Sequence, residues 1–95
     1  MYRIFTSSAV ERIFKKMDSR KQEKVKKELL VLTKNPYVGE RLTGSLNFLC
    51  SYHFTVFGKP FRAAYSVDEN EHKIILYYLG PRGEFYQRLR RLFRK

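Results

Sequence analysis

The chain has 95 residues with a formal net charge of +11, eight Phe, seven Tyr, no Trp and a single cysteine, Cys50. One domain over residues 1–95 is expected, and the lone cysteine excludes an internal disulfide and a cysteine metal cage. The start lacks a signal-peptide pattern and no apolar stretch approaches the ~20 residues that span a bilayer, so we expect a cytoplasmic protein without a membrane partner. The charge favours binding to nucleic-acid phosphates or to another acidic surface.

The first third of the chain predicts a strand followed by two helices. Residues 2–6 are rich in β-branched and aromatic side chains, as strands are. A capping box formed by Ser8 and Glu11 begins one helix, and a second capping pattern at Ser19 begins another that ends at Asn35-Pro36. Residues 15–27 hold seven cations and two acids, which are expected on the outer, solvated side of this helical hairpin.

Two strands joined by a tight turn are predicted next. From residue 46 to 57 apolar side chains occupy the even positions, and Gly58-Lys59 predicts a type II′ turn to the partner strand. His53, Thr55 and Arg62 are then expected on one sheet face, away from the apolar side chains. This turn pairs Thr55 with Arg62 and His53 with Ala64.

The last third predicts a central strand and a final helix. Lys73–Leu79 is apolar on both faces, as buried strands are, and Gly80-Pro81 ends it. A helix from about Pro81 is expected to bury Phe85, Leu89, Leu92 and Phe93, with Arg82, Tyr86 and Arg90 along another side. The predicted fold is α+β (β-α-α-β-β-β-α), a small antiparallel sheet with the helical hairpin on one face and a C-terminal helix. Its other face is expected to be polar, basic and open to a ligand.

Three strings, in this order, identify a resemblance that covers nearly the whole chain. NPYVGERLTGSL, FRAAYSVDE and ILYYLGPRGEFY together resemble the RelE/ParE superfamily of type II toxin–antitoxin toxins, in its RelE-like branch. The resemblance implies a metal-independent endoribonuclease without a cofactor, which cleaves mRNA in the ribosomal A site through 2′-OH attack and so inhibits translation. It also implies a cognate RelB-like antitoxin that silences the toxin in a hetero-oligomer.

The resemblance also implies the site residues. Arg62 and Arg82 match the phosphate-clamping arginines of RelE-like toxins, and Tyr86 matches a functional tyrosine. Two lysines of RelE correspond to His53 and Thr55 here, which is a departure from the family pattern. Because an imidazole exchanges protons near neutral pH, we hypothesise that His53 replaces a family lysine in acid–base chemistry or phosphate contact.

Four further cations are predicted to contact the backbone of ribosomal RNA rather than the scissile bond: Lys59, Arg88, Arg90 and Arg91. Two other functions stay open. A ParE-like toxin would inhibit DNA gyrase without catalysis, and a catalytically inactive relative would only bind RNA.

Overall fold

The computed structural model of the protein describes residues 1–93, and the predicted element order is confirmed with one short additional strand. Arg94 and Lys95, part of the basic C-terminal end, lie outside the described residues. The strands are β1 (Arg3–Thr6), β2 (Glu40–Arg41), β3 (Cys50–Val56), β4 (Lys59–Asp68) and β5 (Lys73–Pro81). The α-helices are α1 (Ser8–Lys15), α2 (Ser19–Lys34) and α3 (Phe85–Leu92), with 3-10 turns at Gly44–Leu46 and Arg82–Glu84.

Both helices of the hairpin begin one residue earlier than the capping pattern predicts. The Ser7 hydroxyl accepts a hydrogen bond from the Val10 N–H at 3.2 Å, and the Asp18 carboxylate accepts one from the Lys21 N–H at 2.8 Å. Each cap satisfies a backbone donor that the first helical turn leaves without a partner. None of the helices in residues 1–93 is long and apolar enough to cross a membrane.

The sheet is mixed, which corrects the prediction of an antiparallel sheet. The strand order is β1-β5-β4-β3-β2, so β5 is an interior strand, as predicted, and β4 lies at the centre. Three of the four strand pairs are antiparallel, but β1 runs parallel to β5. After the α1–α2 hairpin and the turns of the β3-β4-β5 meander, the chain enters β5 in the same direction as β1. The side-chain pattern of a single strand does not reveal whether it pairs parallel or antiparallel with its neighbour.

The predicted register of the β3–β4 hairpin is wrong by two residues. The turn is formed by Phe57 (φ 50°) and Gly58 (φ 83°), so His53 pairs with Arg62 and Thr55 pairs with Pro60. Two successive residues with positive φ characterise a type I′ turn, whose twist suits the flanking strands. Because side chains alternate with period two, this shift leaves the predicted faces unchanged.

The two sheet faces carry separate cores. On one face, α1 and α2 pack against the sheet through a cluster that includes Val10, Val25, Leu32, Phe54 and Tyr65. On the other, α3 packs through Phe85 and Leu89 onto Ala64 and Tyr78, while Leu92 is 46% exposed rather than buried as predicted. The prediction that the second face is open to a ligand is therefore wrong where α3 covers it, and His53 and Arg62 lie beyond the N-terminal end of α3, at an open cleft.

Candidate active site

The polar side chains of the sheet meet at a solvent-open cleft of about 230 Å³ at the ends of β3, β4 and β5. His53, Thr55, Arg62 and Arg82 line it. His53 pairs with Arg62 across β3 and β4, and Arg62 pairs with Gly80, two residues before Arg82. The corrected register thus brings the predicted histidine directly beside the predicted arginine.

The Arg62 side chain is held by two aromatic rings. Its Cζ lies 5.0 Å from the centroid of the Phe85 ring and 5.7 Å from that of the Tyr86 ring. Phe85 is buried and meets Tyr86 edge to face, so the two rings pack against each other beneath the guanidinium. Such cation–π contacts orient a guanidinium without occupying its N–H groups. The sequence predicts Phe85 only as a core residue. Its position next to Tyr86 in the chain was the only indication that its ring would lie under Arg62.

Arg62 is left with hydrogen-bonding capacity. Its Nε is buried and has no hydrogen-bond partner among residues 1–93. The two ion pairs found in that part of the chain join Lys24 to Glu28 and Arg88 to Glu84, so neither neutralises Arg62 or Arg82. Two unneutralised guanidinium groups at one cleft provide a binding site for an anion, and their planar forks of donors match phosphate oxygens.

His53 is exposed on β3, and its surroundings favour the neutral imidazole. Partial burial lowers the pKa of His53 below its usual value, and the charges of Arg62 and Arg82 lower it further. Glu40 acts in the opposite direction. This carboxylate comes from β2, the strand that the sequence did not predict, and it pairs with Ser51 two residues before His53. At neutral pH the imidazole is therefore available to accept a proton.

Tyr86 and Arg90 lie along one side of the C-terminal helix. Tyr86 is 47% exposed in the first turn of α3, beside Arg62, and Arg90 is exposed one turn later. The predicted line of Arg82, Tyr86 and Arg90 on one helix is wrong for Arg82, because the α-helix begins at Phe85 and Arg82 lies before it in a 3-10 turn. Tyr86 and Arg90 are aligned by their spacing of four on α3.

The other predicted RNA-contacting cations lie elsewhere. Lys59 is exposed at the start of β4, beside the hairpin turn. Arg88 donates to the Glu84 carboxylate at 3.4 Å and, with Arg91, lines a separate groove of about 240 Å³ between α1 and α3. The four cations thus do not form one continuous patch around the cleft.

The cleft holds the kinds of side chain that phosphate chemistry uses. Two guanidinium groups can hold a phosphate, the imidazole of His53 can accept a proton, and the phenol of Tyr86 lies beside Arg62. Within residues 1–93, no three His, Cys, Asp or Glu side chains come together as a group that could hold a metal ion.

Comparison by sequence gives one match. A family model described as the ParE-like toxin of type II bacterial toxin–antitoxin systems matches residues 4–90. A search of curated protein sequences found no match.

Comparison by structure gives several neighbours. The toxin–antitoxin complex RelBE2 from Mycobacterium tuberculosis matches with a TM-score of 0.74 and 19% identity, covering 85% of this chain and 98% of that one. The isolated E. coli RelE toxin matches with a TM-score of 0.68 and 20% identity, covering 98% and 100%. A YoeB/ParE toxin from Agrobacterium tumefaciens matches with a TM-score of 0.64 and 15% identity, covering 83% and 96%. At these identities the likeness concerns the fold.

Proposed function

The chain belongs to the ParE-like toxin family of type II bacterial toxin–antitoxin systems, and we propose that it acts as a RelE-like endoribonuclease that cleaves mRNA in the ribosomal A site. The observation that carries the proposal is the cleft, in which the aromatic-supported Arg62 lies with Arg82 beside a histidine whose pKa is lowered. A toxin that acted only by binding a protein would have no need of an imidazole kept neutral beside two arginines.

In the proposed reaction, the 2′-OH of the substrate attacks the adjacent phosphorus in line. His53 accepts the proton of the 2′-OH, and Arg62 and Arg82 stabilise the negative charge that develops on the phosphorane. Tyr86 takes the complementary role, because its O–H can donate a proton to the leaving 5′-oxygen. The products are a 2′,3′-cyclic phosphate and a free 5′-OH. His53 would thus replace a lysine of the family pattern in function.

We also propose that a RelB-like antitoxin silences the chain in a cytoplasmic hetero-oligomer. Several of the structural neighbours are complexes of a toxin with a RelB antitoxin. Acidic antitoxin residues beside Arg62 and Arg82 would complement the positive charge of the cleft and exclude RNA phosphates. The ribosome and mRNA are the other proposed partners.

A cleavage assay on mRNA-programmed ribosomes with a filled P site and an empty A site tests this function. Wild-type protein is expected to cut in the A site and to leave naked mRNA intact, whereas Arg82→Ala is expected to lower the single-turnover rate about 10²-fold or more. Arg12→Ala is the matched control, because it removes the same charge from an exposed position on α1 and should cut at the wild-type rate. If folded wild-type protein does not cut, or if both variants lose activity equally, the proposed reaction is wrong.

Inhibition of DNA gyrase is the second candidate function, because the matching family model is described as ParE-like. A supercoiling assay with purified gyrase separates the two. Inhibition of supercoiling that survives Arg82→Ala, together with no cleavage on ribosomes, would favour the ParE-like function.

A further inference from the structure

An exposed aromatic ring and several cations form a patch at the tip of the β3–β4 hairpin. Phe57 lies there with Arg20, Lys24 and Lys27 of α2, around a shallow depression of about 220 Å³ that Glu23 also lines. We call these four residues, Phe57, Arg20, Lys24 and Lys27, the hairpin-tip patch. It lies on the helical side of the sheet, because Phe54 and Val56 pack with α2 residues in the core of that face. The cleft lies on the opposite face.

The backbone at Phe57 is in a conformation that its side chain does not favour. Its φ of 50° is in the left-handed region, where a bulky residue is a true outlier and where Asn, Asp or Gly is preferred. This conformation is strained, so other contacts of the fold must offset its cost. The fold gains little packing in return, since the ring is 57% exposed.

One cation of the patch, Arg20, also occupies an unfavourable position, although the Asp18 cap offsets part of its cost. The first turn of α2 contains no acidic residue, although the positive end of a helix dipole favours acids and disfavours cations. Arg20 is in this turn, and its Cζ lies 5.1 Å from the centroid of the Phe57 ring. Lys24 is bound by Glu28 at 2.9 Å, so Arg20 and Lys27 supply most of the local positive charge. Positions at which local preferences fail on both neighbouring elements are typical of functional sites.

We propose that the hairpin-tip patch is a second RNA-binding site, which takes one unpaired base and its phosphate from a single-stranded segment. Phe57 and the guanidinium plane of Arg20 offer flat surfaces on which a base stacks, and Lys27 with Arg20 contacts the phosphate. An acidic protein surface would be attracted by the cations but would make no use of the exposed ring. The site is independent of the cleft and requires no cleavage.

The type I′ turn supplies an informative variant. Asn is preferred over Phe at the first turn position, so Phe57→Asn is expected to keep or raise the melting temperature while it removes the ring. The probe is a fluorescein-labelled 2′-O-methyl oligouridine, which has no 2′-OH for the proposed cleavage to use. Fluorescence anisotropy with the full chain then gives the dissociation constant of the probe.

Phe57→Asn is expected to weaken binding of the probe about tenfold, because stacking of one base is lost. Arg20→Ala should weaken binding and reduce its salt dependence by about one counterion, whereas Arg12→Ala, an equal change of charge on α1, should do neither beyond a general charge effect. If Phe57→Asn binds like wild type, no base stacks on the ring, and if Arg20→Ala and Arg12→Ala weaken binding equally, Arg20 makes no local phosphate contact; either result overturns the proposal.

Two further arms of the experiment distinguish the patch from the cleft and from a protein-binding surface. Arg82→Ala changes the cleft and leaves the patch intact, so a loss of binding in Arg82→Ala with none in Phe57→Asn would overturn this inference and leave the proposed cleavage unaffected. If polyglutamate displaces the probe from wild type and Phe57→Asn binds the probe as tightly as wild type does, the patch attracts any polyanion without using the ring, which also overturns the inference.

Discussion

Replacing Tyr65 with phenylalanine removes one oxygen atom that joins β4 to the loop between α2 and β2. Tyr65 is fully buried, its hydroxyl donates to the Pro36 carbonyl at 2.6 Å, and the same hydroxyl accepts from the Gly39 N–H at 3.2 Å. Phenylalanine fills the same space, so the loss is confined to these hydrogen bonds. An unpaired buried polar group costs about 1–3 kcal/mol. Pro36 is buried and Gly39 is partly exposed, so we expect the free energy of unfolding to fall by about 2–3 kcal/mol.

Urea unfolding followed by circular dichroism measures this difference, and a thermal scan should show a melting temperature lower by about 10–20 °C. Tyr37→Phe is the matched control, because Tyr37 lies in the same loop and is 58% exposed, so its change should stay within about 0.5 kcal/mol. If Tyr65→Phe and Tyr37→Phe unfold at the same urea concentration with the same slope, the Tyr65 hydroxyl does not hold this loop.

Three other outcomes can be measured. Arg62→Lys keeps the charge but loses the planar set of N–H donors and its stacking on the aromatic rings, so the single-turnover cleavage rate should fall about 10²-fold. A rate within twofold of wild type would contradict the role of the guanidinium. Since the pKa of His53 lies below its usual value, the wild-type cleavage rate should hold at neutral pH and fall only as the pH drops through that lowered pKa. His53→Asn should cleave slowly and should lose this decrease at acid pH. If the decrease remains in His53→Asn, it belongs to another group. Gly39→Ala should destabilise the fold by about 1–3 kcal/mol in urea, because its Cβ would overlap the Tyr65 hydroxyl, and a neutral result would mean that the loop shifts freely.

The sequence was sufficient for every helix and strand except the two-residue β2, and for the sheet face on which His53 and Arg62 lie. Capping located the starts of both helices of the hairpin to within one residue, because this signal acts over a single helical turn. Alternation placed His53 and Arg62 on one face, and this survived a register error because the alternation has period two. The quoted strings led to the toxin superfamily, and the family model and the fold confirm it.

Tertiary structure decided how the elements are placed relative to one another. The turn could not be predicted, because Phe57 adopts a left-handed conformation that its own preference opposes. The support of Arg62 by Phe85, and the approach of Glu40 to His53, join residues more than ten positions apart in the chain. Local patterns report the backbone conformation and burial of each segment, whereas such contacts depend on how α3 and β2 pack against the sheet. The sequence therefore predicts which side chains form the cleft, whereas their relative positions depend on how the helices and strands pack together.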